Sequence, residues 1–489
     1  MAGAVAPAET SSTRSQPQLV RGLTLTHTIS LVVGTVIGTG VFLKAAVMAQ
    51  AVGTPALVLA AWLLAGLMSL AGALTYAELG ALLPHAGGEY VYVREAYGKA
   101  PAFLCGWTRI AIGSTGSIAS LAAGFATFLT ALLPLNAVWF ERTFTLFGQT
   151  ITWQLGTRQL LAVGAILVLS GVNCAGVVLG GRIQAALTAL KVLGIALIVG
   201  GVFVFSKSAS IAHFAAPADR GSWSGFAPFS AAVLAALWAY DGWNQMPMVA
   251  GEVQRPARNV PRALVGGVFI VTLVYCLANL SYLFALPFPE VANSNSTAFR
   301  EALPVASKAA STFLGPLGTQ VVAALFVVSS LGALNGTILQ CARVPYAMAR
   351  DGLFFRALGN VSQGTHVPVL SILVQAVWAS ILAISGTYDQ LTDFVIFASW
   401  IFYALATSSV FVLRRKMPTA QRPYRTPGYP VVPIFFLLLA AWLVLNTLRT
   451  RPVESAAGLI LIALGFPLYL YFRARNKAEE QSTPASTEV

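Results

Sequence analysis

The chain has 489 residues, of which 57% are hydrophobic and only 10% are charged, and its formal net charge is +13. Soluble proteins carry about 25% charged residues, so much of this surface needs lipid rather than water around it. The basic residues lie in short loops between apolar runs, where anionic lipid rather than nucleic acid is the expected counterpart. The composition therefore excludes an ordinary soluble enzyme and predicts an all-α integral membrane protein.

Apolar runs of about 20 residues, enough to cross a bilayer as a helix, follow one another along most of the chain. Twelve spans are predicted, at 26–51, 57–83, 101–133, 157–179, 183–206, 226–252, 261–286, 315–345, 367–386, 389–413, 430–449 and 454–473. The fourth and fifth are separated only by Gly180, Gly181 and Arg182, which predicts a tight hairpin at that point. The tails are short and polar, and no loop is long enough for a catalytic or nucleotide-binding domain.

The distribution of lysine and arginine predicts that both termini are cytoplasmic. In that orientation twenty basic residues, Arg109 among them, fall on the inner side and eight on the outer side. Such an excess on the inner side is the positive-inside rule. Lys44 and Lys191 remain at membrane depth. We expect a multi-pass protein of the plasma (cell inner) membrane.

Two of the predicted spans contain residues that interrupt a helix. The first has Gly34, Gly38 and Gly40, and each glycine weakens a helix by about 1 kcal/mol. The sixth has Asp241 followed by Gly242 near mid-membrane, where a carboxyl group is costly and usually faces a cavity. Two simpler interpretations stay open, namely close helix packing at the glycines and a structural aspartate that caps a broken helix.

The two interruptions are five spans apart, so a duplicated five-helix unit would place them at corresponding positions of an inverted repeat. Such paired interruptions point to a transport site, because backbone groups freed within a membrane must line a cavity or hold a ligand. The helix that resumes after Gly40 offers N–H groups suited to a carboxylate. The carbonyl groups between Trp238 and Asp241 suit an ammonium group. Together these groups match the backbone of an α-amino acid.

Four motifs in this order resemble those of the amino acid–polyamine–organocation superfamily, in particular its L-type amino-acid transporter branch and prokaryotic relatives. They are Gly34–Phe42, Pro84–Gly98, Trp238–Asn244 and Pro423–Pro430, and the resemblance covers roughly residues 22–473. It implies a LeuT-type fold with five plus five inverted helices, discontinuous first and sixth helices, and two peripheral helices.

The implied organisation has two repeats between short tails. The first five-helix repeat covers residues 23–206 and the second covers 207–415. The peripheral eleventh and twelfth helices cover 416–473, and the cytoplasmic tails are 1–22 and 474–489.

The resemblance also assigns a substrate site to both interrupted helices. The implied substrate-binding residues are Val36, Gly38, Thr39, Gly40, Trp238, Ala239 and Asp241. Glycine and threonine amides in the first helix would bind the carboxylate, and carbonyl groups of the sixth would bind the amine. Trp238 stands where the family usually has an aromatic outer gate. Asp241 departs from the glycine expected in animal L-type members.

Lys191 follows Arg182 by nine residues, about 13 Å along a helix, which is deep for a side chain that reaches the membrane surface. We expect its ammonium group to bond carbonyl groups freed in the first span and hydroxyl groups such as those of Ser329 or Ser330. A purely structural bond or a side chain that reaches the surface remains the alternative. By resemblance, sodium-independent members carry this lysine where sodium-coupled relatives bind a cation. Lys44 is expected to reach outward to water.

The expected function is sodium-independent exchange or uniport of neutral L-amino acids by alternating access. A proton-coupled carrier of cationic amino acids or polyamines is the alternative, favoured by Asp241, and a non-transporting amino-acid sensor is an alternative from another class. No enzyme activity, cofactor, metal or nucleic acid is expected. Pro134–Gly156 contains no cysteine, so by resemblance the chain needs no disulfide-linked heavy-chain partner.

Overall fold

Helices make up most of the computed structural model, which describes residues 18–146, 149–215, 226–296, 298–299, 301–385, 388–450 and 452–482. The helices are α1 (Leu25–Val36), α2 (Gly40–Val52), α3 (Pro55–Leu82), α4 (Glu89–Tyr97), α5 (Lys99–Thr108), α6 (Ser114–Leu132), α7 (Thr157–Cys174), α8 (Val177–Phe205), α9 (Ala212–Ala215), α10 (Phe226–Ala239), α11 (Pro256–Ala285), α12 (Phe288–Ala292), α13 (Val305–Leu314), α14 (Leu317–Cys341), α15 (Arg343–Arg350), α16 (Val369–Ser385), α17 (Tyr388–Lys416), α18 (Val431–Thr450) and α19 (Pro452–Ser482). A π-helical turn joins α5 to α6, and 3-10 segments cover Trp243–Glu252 and Arg356–Gly359.

Nine helical stretches of the described residues are long and apolar enough to cross a membrane. They coincide with the first to fifth, seventh, eighth, eleventh and twelfth predicted spans, which supports a multi-pass helical protein. The sixth predicted span consists of the 14-residue α10 and a 10-residue 3-10 segment, and the ninth is the 17-residue α16. The tenth is α17, several of whose side chains lie outside the described residues. The count of twelve spans stays a prediction.

Both predicted helix interruptions are present. The first lies between Val36, where α1 ends, and Gly40, where α2 begins. The second follows Ala239, where α10 ends in a turn, and the chain continues through Gly242 at a φ of 113° into the 3-10 segment. Such a positive φ favours glycine because it has no Cβ atom.

The turn between the fourth and fifth spans lies elsewhere than predicted. The chain turns at Ala175 and Gly176, whereas Gly180 and Gly181 are inside α8. Gly176 has a φ of 136°, a conformation in which other residues are strained. A Cβ atom on Gly181 would approach Leu23 to 2.9 Å, so this helical glycine allows close packing rather than a turn.

The segment Pro134–Gly156, expected as a loop in an all-α protein, contains an antiparallel hairpin of β1 (Val138–Leu146) and β2 (Gln149–Gly156). Both strands are rich in β-branched and aromatic residues, which favour a strand. The indole N–H of Trp153 donates to the Ile384 carbonyl at 2.8 Å and so ties the hairpin to α16.

The two interrupted spans lie within the bundle rather than at its edge. Helix α1 packs against α8, α11 and α14, and α10 packs against α2 and α3. In the first span, Leu25–Val52, 83% of the most apolar stretch is buried, against 22% for Val431–Thr450. The interruptions are therefore enclosed by protein, as broken backbone in a membrane requires.

Candidate functional site

A cavity of about 90 Å³ lies where the two helix interruptions meet. Its walls come from the α1–α2 break, the α10 break, α6 and α14. The lining includes all seven residues expected at the substrate site, which are Val36, Gly38, Thr39, Gly40, Trp238, Ala239 and Asp241. Additional lining residues that the sequence did not suggest are Thr35, Ser117, Ser120, Leu121, Gly242, Gln245 and Thr337.

Glycine at position 40 lets the two interruptions approach each other. A Cβ atom there would lie 2.9 Å from the backbone Cα of Ala239, so a larger residue requires a backbone shift. The N-terminus of α2 has no capping side chain, which leaves first-turn N–H groups for a carboxylate. Gly38 is in a more open place, since a Cβ atom there would meet only Leu121, at 3.8 Å.

Tyr275 of α11 joins the two interruptions and was not anticipated from the sequence. Its hydroxyl lies 2.9 Å from the Val36 carbonyl and 2.8 Å from the Ala239 carbonyl, and its single proton is shared between them. Its ring packs edge-on against Trp62 and Tyr240. The available sequence signal was a tyrosine within an apolar span, since a buried tyrosine hydroxyl usually has a hydrogen-bond partner, but many tyrosines in spans serve only packing.

Lys191 is fully buried and bonds the first interruption to α14. Its Nζ atom donates to the carbonyl groups of Gly34 at 2.9 Å, Ile37 at 2.7 Å and Ser329 at 2.8 Å. All three ammonium protons are thereby matched by carbonyl oxygens. The ammonium group thus holds both α1 and the non-helical segment after it.

The expected hydroxyl contacts of Lys191 differ from those in the structure. Ser329 reaches Nζ with its backbone carbonyl, and its hydroxyl donates instead to Ile37 at 3.0 Å and Gly38 at 2.9 Å. The buried hydroxyl of Ser330 has no hydrogen-bond partner among the described residues. The difference arises because the buried carbonyl groups of an interrupted helix need hydrogen-bond donors, whereas a neighbouring hydroxyl can itself act as a donor.

Polar side chains one and two turns before Lys191 face α1 in the same way. Thr188 donates to the Ser30 carbonyl at 3.1 Å, and Gln184 donates to the same carbonyl at 3.2 Å. Gly34 permits this approach, because a Cβ atom there would clash with both side chains. The glycines of the first span therefore serve close packing as well as the interruption.

Asp241 lines the cavity and belongs to a largely buried polar network. The Tyr403 hydroxyl donates to its carboxylate at 2.8 Å, and the Arg109 guanidinium lies 5.0 Å from the centre of the Tyr403 ring. Arg109 pairs with Glu89 at 2.6 Å, and Glu89 also accepts from Asn244 at 2.6 Å. Sequence reasoning missed this network because its members come from distant parts of the chain.

The count of basic residues placed Arg109 on the inner side among the loop residues, but Arg109 does not lie in a loop. It is 4% exposed and begins the π-helical turn Arg109–Gly113. A buried guanidinium is tolerated here because Glu89 pairs with it in a charge-assisted, hydrogen-bonded contact.

Lys44 interacts with Trp238 rather than simply reaching to water. Its Nζ atom lies 4.1 Å from the centre of the Trp238 ring, within the range of a cation–π contact, and the residue is half-buried. The two ends of this contact belong to α2 and α10, the helices on either side of the cavity.

The sequence profile of the Amino acid permease family matches residues 23–466. The chain belongs to this family. The match spans both interruptions, Lys191 and the buried network of Asp241. It places the chain among the amino-acid transporters of the amino acid–polyamine–organocation superfamily, as the four motifs indicated.

Three relatives show how broad the similarity is. The serine/threonine exchanger SteT of Bacillus subtilis is 32% identical over 461 residues, which cover 94% of this chain and 98% of the relative. The human b(0,+)-type amino acid transporter 1 is 30% identical over 96% of this chain and 92% of the relative. The human cystine/glutamate transporter is 30% identical over 93% of this chain and 86% of the relative. These relatives are transporters rather than enzymes, as predicted for this chain.

On the predicted inner side, a buried ion pair joins the end of the 3-10 segment to α15. Arg343 makes two hydrogen bonds to the Glu252 carboxylate, at 2.7 and 2.9 Å, and also donates to the Leu339 carbonyl. The Glu252 carbonyl accepts from the Leu23 amide at 2.9 Å, just before α1. The chain segment that precedes α1, the 3-10 segment and α15 are thus connected at one point of this amino acid permease.

Proposed function

We propose that the chain is a secondary transporter that exchanges neutral L-amino acids by alternating access without sodium. The proposal includes twelve spans arranged as two inverted five-helix repeats, 23–206 and 207–415, with two peripheral helices in 416–473. The single observation that carries it is the meeting of two helix interruptions, five predicted spans apart, at one cavity. Paired interruptions at a repeat interface are the mark of a transport site.

The cavity offers complementary groups for the two ends of an amino acid. The uncapped N-terminus of α2, with Gly38, Thr39 and Gly40, would bind the carboxylate through backbone N–H groups. Carbonyl groups at Trp238, Ala239 and Asp241, together with that of Val36, would bind the ammonium group. Backbone groups recognise the part that all α-amino acids share, so the side chain is left to the rest of the cavity.

The position of Lys191 supports the sodium-independent part of the proposal. Its ammonium group binds three carbonyl oxygens next to the substrate cavity, and carbonyl oxygens are the type of ligand that a hard metal cation would take. A cation attached to the chain cannot dissociate with the substrate. Net transport then depends on the amino-acid gradients, which suits an exchanger, and the name of the Bacillus relative supports this choice.

Two further expectations belong to the proposal. The excess of basic residues on one side favours cytoplasmic termini and an inner, plasma-membrane location. The hairpin β1–β2 contains no cysteine, and the four cysteines lie in α5, α7, α11 and α14. A disulfide-linked heavy-chain partner at the hairpin is therefore not part of the proposal.

Counterflow in proteoliposomes tests this function. Vesicles that contain the purified chain and unlabelled serine should accumulate labelled serine transiently, and replacement of sodium by choline should leave the initial rate unchanged. Absence of counterflow with a panel of neutral and cationic amino acids would favour a sensor that binds without transport. A rate that rises steeply with sodium at fixed membrane potential would contradict the role given to Lys191.

A carrier for cationic amino acids is the second candidate, because the half-buried Asp241 carboxylate lines the cavity. Asp241→Asn keeps the shape and the Tyr403 contact but removes the charge, and Ser117→Ala is the matched neutral control in the same cavity. Under the main proposal, lysine and arginine compete weakly with serine uptake and Asp241→Asn changes little. Strong competition by arginine that falls about tenfold in Asp241→Asn alone would favour the second candidate.

A further inference from the structure

A groove of about 580 Å³ lies between the first turns of α11 and the segment that precedes α18. Arg258, Arg262 and Gly266 line one side of it, and Pro423 and Tyr424 line the other. This groove is separate from the amino-acid cavity, and none of its lining residues contributes to that cavity.

The two arginines at the mouth of the groove have no acidic partner in the described part of the chain. Both are exposed, and neither guanidinium has a hydrogen bond or ion pair to a described residue. They are four residues apart, about 6 Å along α11, so both can contact one phosphate group. Arginine is well matched to a phosphate because its N–H groups form a planar fork.

Deeper along the same helix face, the arginines are followed by a gap and then by apolar side chains. Gly266 is one turn beyond Arg262, and a Cβ atom there would meet no atom within 4 Å, so the space beside it is open. Phe269 is 62% exposed and Leu273 is 50% exposed. Arg262 and Leu273 are about 16 Å apart along the helix, close to half of a hydrocarbon core of about 30 Å.

This arrangement matches a phospholipid in both of its parts. The arginines lie where a headgroup phosphate would be, and the open space beside Gly266 leads to an apolar stripe one leaflet long. A peptide or a soluble phosphate compound could bind at the charged mouth, but it would not cover an exposed apolar stripe on a membrane-spanning helix. Among occupants with a phosphate, charge complementarity favours one with a net negative charge.

We propose that this groove is a binding site for an anionic phospholipid. Arg258 and Arg262 bind the headgroup phosphate, and one acyl chain lies beside Gly266 and continues along Phe269 and Leu273. Tyr424 and Pro423 form the opposite wall at the level of the headgroup.

Native mass spectrometry of the full-length protein, titrated with phosphatidylglycerol or with phosphatidylcholine of the same acyl chains, tests the proposal. The wild type should retain phosphatidylglycerol in preference to phosphatidylcholine. Arg258→Gln with Arg262→Gln should weaken phosphatidylglycerol binding about thirtyfold, the fold-change expected for two arginine contacts. The matched control, Arg415→Gln with Arg473→Gln, removes the same charge from exposed sites outside the groove and should leave binding unchanged.

Gly266→Leu tests the acyl-chain part without a change of charge. Leucine favours a helix more than glycine does, so the variant should fold, and its side chain should block the open space and weaken binding. This variant carries the test alone if the double arginine variant fails to fold.

Three results would overturn the proposal. The first is equal retention of both lipids by the wild type. The second is an equal loss in the groove and control variants, which would indicate general attraction to an anionic surface. The third is displacement of phosphatidylglycerol by glycerol phosphate at similar concentrations, which would indicate a site for the soluble phosphate compound.

Discussion

Replacement of Lys191 by methionine separates the role of the ammonium group in transport from its role in folding. Methionine has a similar length and an apolar end, so it fills the space without a charge. The variant loses the three bonds from Nζ to the carbonyl groups of Gly34, Ile37 and Ser329. It also avoids the cost of burying an ammonium group, which is several kcal/mol.

The carbonyl groups left behind set the size of the effect on stability. The Ile37 carbonyl keeps the hydroxyl of Ser329, and the Ser329 carbonyl lies inside α14, where helical bonding continues. The Gly34 carbonyl is left without compensation, since the amide of Gly38, four residues on, bonds to Val36 instead. One unsatisfied buried carbonyl costs about 1–3 kcal/mol, so we expect Lys191→Met to fold with a moderately lowered melting temperature.

Transport should fall much further than stability. The lost bonds hold the non-helical segment that carries Gly38 and Thr39, and a misplacement that weakens substrate binding by only 1.4 kcal/mol lowers affinity about tenfold. The assay is initial counterflow of labelled serine in proteoliposomes with equal amounts of folded protein. We expect a loss of about tenfold or more in Lys191→Met.

Lys308→Met is the matched control for this experiment. Its Nζ atom also bonds two carbonyl groups, those of Glu290 at 3.1 Å and Asn293 at 3.3 Å, but these bonds are exposed and belong to α13, which contributes no residue to the cavity. The control should transport like the wild type. Wild-type counterflow by Lys191→Met would refute the reasoning, and so would an equal loss in both variants.

Two further predictions concern packing beside the site and the inner ion pair. A Cβ atom on Gly332 would lie 2.9 Å from both Cε and Nζ of Lys191, so Gly332→Ala should reduce counterflow. Gly164→Ala is the control, because a Cβ atom on Gly164 would lie in open space, and it should leave counterflow unchanged. Equal activity of the two variants would contradict this prediction. Glu252→Ala leaves the buried Arg343 guanidinium unpaired, at a cost of about 3–5 kcal/mol, and should lower the melting temperature clearly. Replacement of both Glu252 and Arg343 by methionine should restore much of that stability, and a double variant as unstable as Glu252→Ala would count against the explanation.

Features with a strong local signal were predictable from the sequence. The glycines between Gly34 and Gly40 and the Asp241–Gly242 pair mark interruptions, because glycine and a buried acid disfavour a continuous membrane helix wherever the rest of the chain lies. Lys191 stood out for the same reason, since a lysine at membrane depth requires a compensating environment. The seven expected site residues then fell at one cavity, although their binding roles stay a proposal.

Features that depend on exact backbone direction or on distant partners were not predictable. The sequence predicts the turn at Gly180–Arg182 rather than at Gly176, because all three glycines have the same local signal and only the positive φ at Gly176 distinguishes them. The sequence predicts a loop in place of the hairpin β1–β2, because this segment lies between two long spans.

By itself the sequence determined that this chain crosses a membrane, where its helices are interrupted and which lysine is buried between them. Composition and local helix propensity act within one segment, so they can be read one segment at a time. Only the tertiary structure decided what each polar group bonds to, such as Asp241 to Tyr403 or Glu89 to Arg109. In a dry interior each buried polar group must find a partner, and that partner is set by how distant helices pack.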